Sequence, residues 1–324
     1  MSAQWKQRPE GGSRFAIWLI RSIGRHGGRA LGRAFLYPIT LYFLVRRGPE
    51  RRASRAWLTR ALGRPASLFE VARHIHTFAA TILDRVFLLS GQLHRFDIRT
   101  EGLPQLEAQL DAGRGVLLFG SHLGSFEVLR VLARNRRDVG LRVVLDVGHN
   151  PAMTQLLDAL NPEVAATVID AGRDGTAIML DIQQAIAAGR MVALLVDRPQ
   201  PGEPALDTPF LGSDAPFPLA PWQLAAVLGA PVLLVFGLYR GGNRYDLHFE
   251  AFSDGEAVPR PRRAQHVAAL IRRYAARLEH RARQAPYNWF NFYDYWSHES
   301  RSHDIRKGHD AGGSAAAGDA AGRG

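Results

Sequence analysis

The sequence predicts an α/β protein built on a mixed, largely parallel sheet covered by helices. Three observations carry this. Short, wholly apolar runs of strand length recur along the chain, as at residues 116–119 and 191–196. Between them lie longer stretches with apolar residues at helical spacing. Near the end, residues 232–240 and 245–252 flank Gly241-Gly242-Asn243, the signature of an antiparallel hairpin. Strands alternating with helices give a parallel sheet with both faces covered, and the hairpin makes it mixed.

Taken in order, residues 1–14 are polar and glycine-bearing and predict a disordered lead. Residues 15–20 and 30–45 are apolar, separated by Arg21, Arg25, Arg29 and Arg33. Neither run reaches the about 20 residues of a spanning helix, and Pro38 interrupts the second. Residues 15–53 therefore predict a monotopic or re-entrant membrane-attachment segment. Recurrent arginines and the lack of a small-residue cleavage site argue against a cleaved signal peptide. Arg46, Arg47, Arg51, Arg52 and Arg55 follow at once, a cluster suited to an anionic cytoplasmic leaflet.

Residues 54–305 predict the main domain. Trp57, Leu58, Ala61 and Leu62, then Val71, Ile75, Phe78, Ile82 and Val86, have helical spacing. A strand is expected at 99–103 and a helix at 103–112, ahead of the strand at 116–119. Further strands are expected at 141–145, 167–170 and 191–196, with helices at 152–160 and 175–188. Val267, Ile271, Tyr274 and Leu278 mark a long amphipathic helix whose other faces carry Arg272, Arg273, Arg277, Arg281 and Arg283. Residues 306–324 lack large apolar groups and predict a disordered tail.

Composition narrows the chemistry. The formal charge of +11 is carried almost wholly by arginine, which fits acidic partners such as anionic lipid, an acidic carrier protein or nucleic acid. The chain has no cysteine, which removes disulfides, thiolate catalysis and cysteine-zinc sites. His74 and His76 stand two apart and face different directions on a helix, and H-E-x-x-H is absent, so no metal is expected.

The segment from Gly113 to Glu127 is the most telling. An apolar run delivers His122 to a glycine-bounded turn, with Glu127 five residues on. Within one helix, residues five apart lie about 140° apart around the axis, so they could not share a face. His122 is thus expected in the turn at 120–124, with Glu127 in the first turn of a helix over 125–134, facing back to the imidazole. Ser121, Gly124 and Ser125 become candidate substrate-binding positions, and the free N–H groups of the helix start could hold negative charge. No G-x-S-x-G elbow accompanies the serines.

His-Leu-Gly-Ser-Phe-Glu resembles the His-x4-Asp/Glu signature of glycerolipid-type acyltransferases, and in its glutamate form the lipid A biosynthesis (late) acyltransferase branch. The blocks Met191-Val-Ala-Leu-Leu-Val-Asp-Arg-Pro199 and Pro209-Phe-Leu-Gly212 through Pro218-Leu-Ala-Pro221 to Gly229-Ala-Pro-Val232 are similar to the same family. The resemblance covers roughly residues 30–296. It implies a glycerolipid-acyltransferase-like fold and O-acyl transfer from an acyl-carrier-protein or acyl-CoA thioester to a hydroxyl of a lipid or glycolipid. His122 would take the hydroxyl proton and Glu127 would hold the ring. Asp197 and Arg198 coincide with the family's Asp-Gln or Asp-Arg block at a strand's carboxyl end, where ligands collect and a guanidinium can clamp phosphate. Asn150 and Arg173 coincide with an Asn-Pro and an Arg-x-Gly.

The resemblance further implies an acyl carrier protein and anionic membrane lipid as partners, no cofactor beyond the acyl thioester, and the cytoplasmic face of a bacterial-type inner membrane. The aromatic ending at 286–296 fits either core packing or an interfacial surface. It resembles acyltransferases of aryl-polyene or pigment-lipid pathways. Two other classes stay open: a non-catalytic scaffold of a lipid-assembly complex, and a basic nucleic-acid-binding module, for which no reading motif is present.

Overall fold

The computed structural model of the chain describes residues 28–129, 140–148, 160, 165–200 and 202–296. Three helices lead: α1 (Gly28–Arg46), α2 (Gly48–Leu62) and α3 (Leu68–Leu89). Then follow β1 (Asp97–Glu101), α4 (Leu103–Asp111), β2 (Val116–Gly120), β3 (Leu141–Leu145), β4 (Val168–Asp170), α5 (Gly175–Ala187) and β5 (Met191–Leu195). The chain continues with β6 (Ala205–Phe210), β7 (Ser213–Pro218), α6 (Ala220–Leu228), β8 (Val232–Gly241), β9 (Arg244–Ser253) and α7 (Arg260–Gln284).

Seven strands form one sheet in the order β1-β9-β8-β2-β5-β3-β4. β8, β2, β5, β3 and β4 run parallel; β9 turns back along β8, and β1 runs with β9. The mixed, largely parallel sheet is as the sequence predicts. Alternation within the strands builds a core on each face. Leu117 and Phe119 of β2 join Val192 and Leu194 under α2, α5, α6 and α7. Val116 and Leu118 join Met191 and Ala193 on the other side, with α1, α3 and α4. α3 serves both: Val71 and Ile75 of its first half enter one core, Leu83 and Phe87 of its second half the other.

Helix α3 begins with a reciprocal cap. Ser67 accepts from the Glu70 N–H while the Glu70 carboxylate accepts from the Ser67 N–H. α1 runs unbroken through Pro38, where the sequence predicts an interruption. The cost of about 3 kcal/mol for an interior proline is offset by packing on α3. Leu36 is buried there, Thr40 Oγ1 meets His76 Nδ1 at 3.2 Å and the Tyr37 ring lies on that of His76. At its start, Arg29 pairs with the fully buried Asp84 of α3 at 2.7 Å.

Boundaries differ from expectation in few places. β1 begins two residues earlier than the predicted strand and stops at Gly102, φ 74°. The ribbon β6–β7 is unforeseen because Pro209, Pro216 and Pro218 argue against a ladder; a two-stranded ribbon with free edges tolerates them. Its turn places Leu211 and Gly212 both at positive φ, a primed hairpin turn that fits strand twist. Leu211 pays for this conformation with burial and an N–H bond of 2.6 Å to Glu279. The predicted helix at 152–160 lies, but for residue 160, outside the described residues, as do 1–14 and the tail. Among the described residues no helix is long and apolar enough to cross a membrane.

Beyond β2 the chain lies hard against β8. Gly124, at φ 91°, forms a bridge to Gly237, and the Ser125 N–H reaches the Gly237 carbonyl at 2.7 Å. A Cβ at Gly124 would overlap that carbonyl, and one at Gly237 would overlap the carbonyl of Ser125. Gly124→Ala is expected to destabilise the fold by roughly 2–5 kcal/mol, the left-handed penalty plus overpacking. A urea midpoint equal to that of the parent chain would contradict this close approach.

Candidate active site

Parallel register sets the central pair. Gly120 of β2 is opposite Leu195 of β5, so two residues further on His122 and Asp197 emerge side by side at the carboxyl edge. Asp197 is fully buried. Its Oδ1 lies 2.7 Å from His122 Nδ1, its Oδ2 accepts the His122 backbone N–H at 3.0 Å, and Oδ2 also accepts the Trp289 indole N–H at 3.0 Å. With the carboxylate ionised, Nδ1 carries the ring proton and Nε2 keeps its lone pair. The His122 side chain retains 26% of its exposure, enough for a small reacting group to reach it.

Burial acts first on both groups. It pushes the Asp197 carboxyl up, but the imidazole, the Arg198 charge and the Trp289 N–H outweigh it and bring the group down to about 2. Burial, then the Arg198 charge, lower His122 below the ordinary histidine value while Asp197 opposes them. At neutral pH the pair is a carboxylate beside a neutral imidazole, the state a general base requires.

Glu127 does not hold the ring, which corrects the sequence expectation. It stands in a short 3-10 turn, Phe126–Leu129, and its carboxylate pairs with Arg85 of α3 at 2.6 Å while accepting from Ser125 Oγ at 2.9 Å. The remainder of the expected helix, 130–134, lies outside the described residues. The physical reason is reach: β5 presents Asp197 directly beside His122, whereas Glu127 turns toward α3. Arg85 also lowers His122, so the imidazole faces positive charge from α3 and from the loop after β5.

The other predicted residues divide. Arg198 stands at the site, its guanidinium 2.6 Å from Asn291 Oδ1 and over the Tyr293 ring. Ser121 and Ser125 are buried; Ser121 Oγ accepts from the Leu123 N–H, and Ser125 serves Glu127. Gly124 donates its N–H to the Asn288 carbonyl at 2.7 Å. These three positions are therefore spent on internal contacts. Arg173 is half exposed and paired with Asp181. It follows β4, three strands from β2 and so about 14 Å away across the sheet. Asn150 lies outside the described residues. His74 and His76 hold Trp289 and Thr40, respectively, in hydrogen bonds.

Arg85, Trp289 and Asn291 are neighbours of the site that the sequence did not single out. An arginine within an apolar helix is a visible signal, but its destination is not. Trp289 belongs to the aromatic run, whose larger members Trp289, Tyr295 and Trp296 are buried; core packing is thus the outcome there. The run does more than fill space. Phe290 N–H bonds the His122 carbonyl at 3.1 Å, and Tyr295 Oη donates to the Asp197 carbonyl at 2.6 Å.

Comparison with known families adds one match. The family described as bacterial lipid A biosynthesis acyltransferase matches residues 71–298, which span His122, Glu127, Asp197, Arg198 and Trp289. No curated protein matches the chain.

Because folded pKa values of both His122 and Asp197 lie below their ordinary values, the pair stabilises the fold at neutral pH and loses that contribution on acidification. The loss begins as unfolded histidine gains its proton below about 6.5. It continues through the carboxylate range toward about 2. In an NMR titration His122 is expected to protonate below 6.5, and lower still in Asp197→Asn, which removes the group that raises it. A midpoint at or above 6.5 in the parent chain would contradict this electrostatic arrangement.

Proposed function

The chain belongs to the bacterial lipid A biosynthesis acyltransferase family, and from that premise we propose that it moves an acyl group from an acyl carrier thioester to a hydroxyl of a membrane lipid or glycolipid. The observation that carries the reading is the His122–Asp197 pair, with Nε2 free, at the carboxyl edge of the central strand. Nε2 takes the proton of the acceptor hydroxyl as its oxygen attacks the thioester carbonyl. The C–O bond forms, the carbonyl pair moves to oxygen, and the imidazolium is stabilised by Asp197. Collapse expels the thiolate, which receives the proton from Nε2. Arg198 supplies positive charge for the developing oxyanion or for a phosphate of either substrate. Glu127 acts through Arg85, whose guanidinium it holds beside the site.

The acyl group is a fatty or aryl-polyene chain, and the donor is an acidic acyl carrier protein, to which the +11 charge is complementary. Attachment to the cytoplasmic face of the inner membrane is supported by an apolar surface on α1 and the start of α3. Tyr37 is 70% exposed and Phe69 77% exposed, and Leu41, Tyr42 and Val45 extend the patch. Arg46, Arg52 and Arg55 of α1 and α2, which follow Val45 in the chain, are exposed. Apolar area and positive charge together give firm interfacial binding.

Purified His122→Ala is expected to transfer acyl groups roughly 10²–10⁴-fold more slowly than the parent with its fold intact. Full activity in that variant would remove His122 from the role of general base. Glu127→Gln should lower turnover less than Asp197→Asn, since only Asp197 touches the imidazole; the reverse order would return the ring-holding role to Glu127.

Tyr37→Ser with Phe69→Ser should weaken flotation on anionic liposomes, and salt should weaken it further in both proteins by screening the arginines. Equal flotation of parent and variant would place the contact elsewhere. These substitutions test the surface without deleting α1, whose Arg29 and Leu36 belong to the packed domain.

A further inference from the structure

The indole N–H of Trp289 lies 3.0 Å from Asp197 Oδ2, the oxygen that does not face the imidazole ring nitrogen. Resting on the reading of His122 as the general base, we propose that Trp289 is a positioning residue for acyl transfer, which fixes the Asp197 carboxylate and thereby the orientation and basicity of His122. The structure holds this indole from three sides. His74 Nε2 bonds the Trp289 backbone carbonyl at 2.9 Å, and His74 Nδ1 in turn meets Ser54 Oγ at 2.8 Å. The Trp57 ring packs on the indole at 4.2 Å between centroids, and Phe210 and Tyr295 meet it edge to face. Leu123, beside His122, forms a bridge with Trp289 itself. One tryptophan thus joins α2 and α3 to the dyad through its backbone, and reaches the carboxylate with its only side-chain donor.

The reason for such a donor is chemical. A carboxylate whose Oδ2 is held by the His122 backbone N–H alone is left free to rock about that bond. Two donors on Oδ2 lock its plane and leave Oδ1 for His122. The indole N–H also withdraws charge from the carboxylate, so its removal strengthens the pull of Asp197 on the imidazolium. The sign follows: without the donor, His122 becomes more basic. Other ionisable groups near the pair are Arg85 from α3, Arg198 after β5, Tyr274 from α7, and Tyr293 and Tyr295 from the final segment. None of them donates to Oδ2, so none replaces the indole.

The test compares the parent, His122→Ala and Trp289→Phe as full-length proteins, with a long-chain acyl carrier protein thioester as donor and water as acceptor. The His122 ring is titrated by NMR in parallel. For Trp289→Phe the expected result is a kcat lower by roughly 10- to 100-fold, the scale on which outer partners of an oriented histidine act. KM should stay within about twofold, and the His122 midpoint should move to higher pH. Unchanged kcat and midpoint in Trp289→Phe, with His122→Ala inactive, overturn this role while sparing the general base. Full activity of His122→Ala overturns the reading of the site and this role with it. If Trp289→Phe fails to fold, benzothienylalanine placed at 289 keeps the ring's shape and lacks only the N–H. The same kinetic loss and upward midpoint there support the role, and parent-like values overturn it.

Discussion

A buried carboxylate without counter-charges is among the least tolerable groups in a protein interior, and the site is organised around how Asp197 is satisfied. Three N–H groups converge on it: the backbone and ring of His122, and the indole of Trp289. Each comes from a segment with its own reasons for lying where it does. The His122 loop is fixed by the paired glycines 124 and 237, β5 by its register with β2, and Trp289 by the aromatic core. Removing any one leaves the charge short of a partner. The neutral imidazole with its ring proton on Nδ1 follows from these hydrogen bonds.

Positive charge completes the environment in a way that separates two tasks. Arg198 is tied to Asn291 and leans over Tyr293, so its position is set by the final segment. Arg85 is tied to Glu127 and so to the loop that carries His122. Both lower the affinity of His122 for a proton, which keeps its imidazole neutral at neutral pH. The glutamate of the His-x4-Glu signature thus pairs with a cation, while the aspartate of the second block pairs with the imidazole.

Much of the sheet was legible because buried parallel strands leave an uninterrupted apolar mark. Residues 141–145 and the hairpin at 232–252 needed only pattern and turn chemistry, and the observed strands agree. Proline misled twice. Pro38 signals a break although packing on α3 carries the helix through it, and the prolines of residues 209–218 conceal a ribbon whose free edges accept them. His122 and Asp197 were each visible, yet their pairing was not. Sequence distance favoured Glu127, five residues away, over Asp197, which only the pairing of β2 with β5 brings near. Long-range register is a property of the assembled sheet, and no local periodicity encodes it. Trp289 was hidden for a related reason: in an aromatic run, composition tells which rings are buried together but not which one donates to a carboxylate.

Helix α3 ties the site to the proposed membrane contact. Phe69 is exposed near its start, His74 supports Trp289 one and a half turns on, and Arg85 faces the site near its end. At 1.5 Å per residue, Phe69 and His74 are about 7–8 Å apart along the axis, and Phe69 and Arg85 about 24 Å. A helix capped at its first turn and buried in two cores moves as a unit. Seating Phe69 at an interface would accordingly fix the height of the catalytic edge above it. Along α3, the support of Trp289 stands closer to Phe69 than Arg85 does.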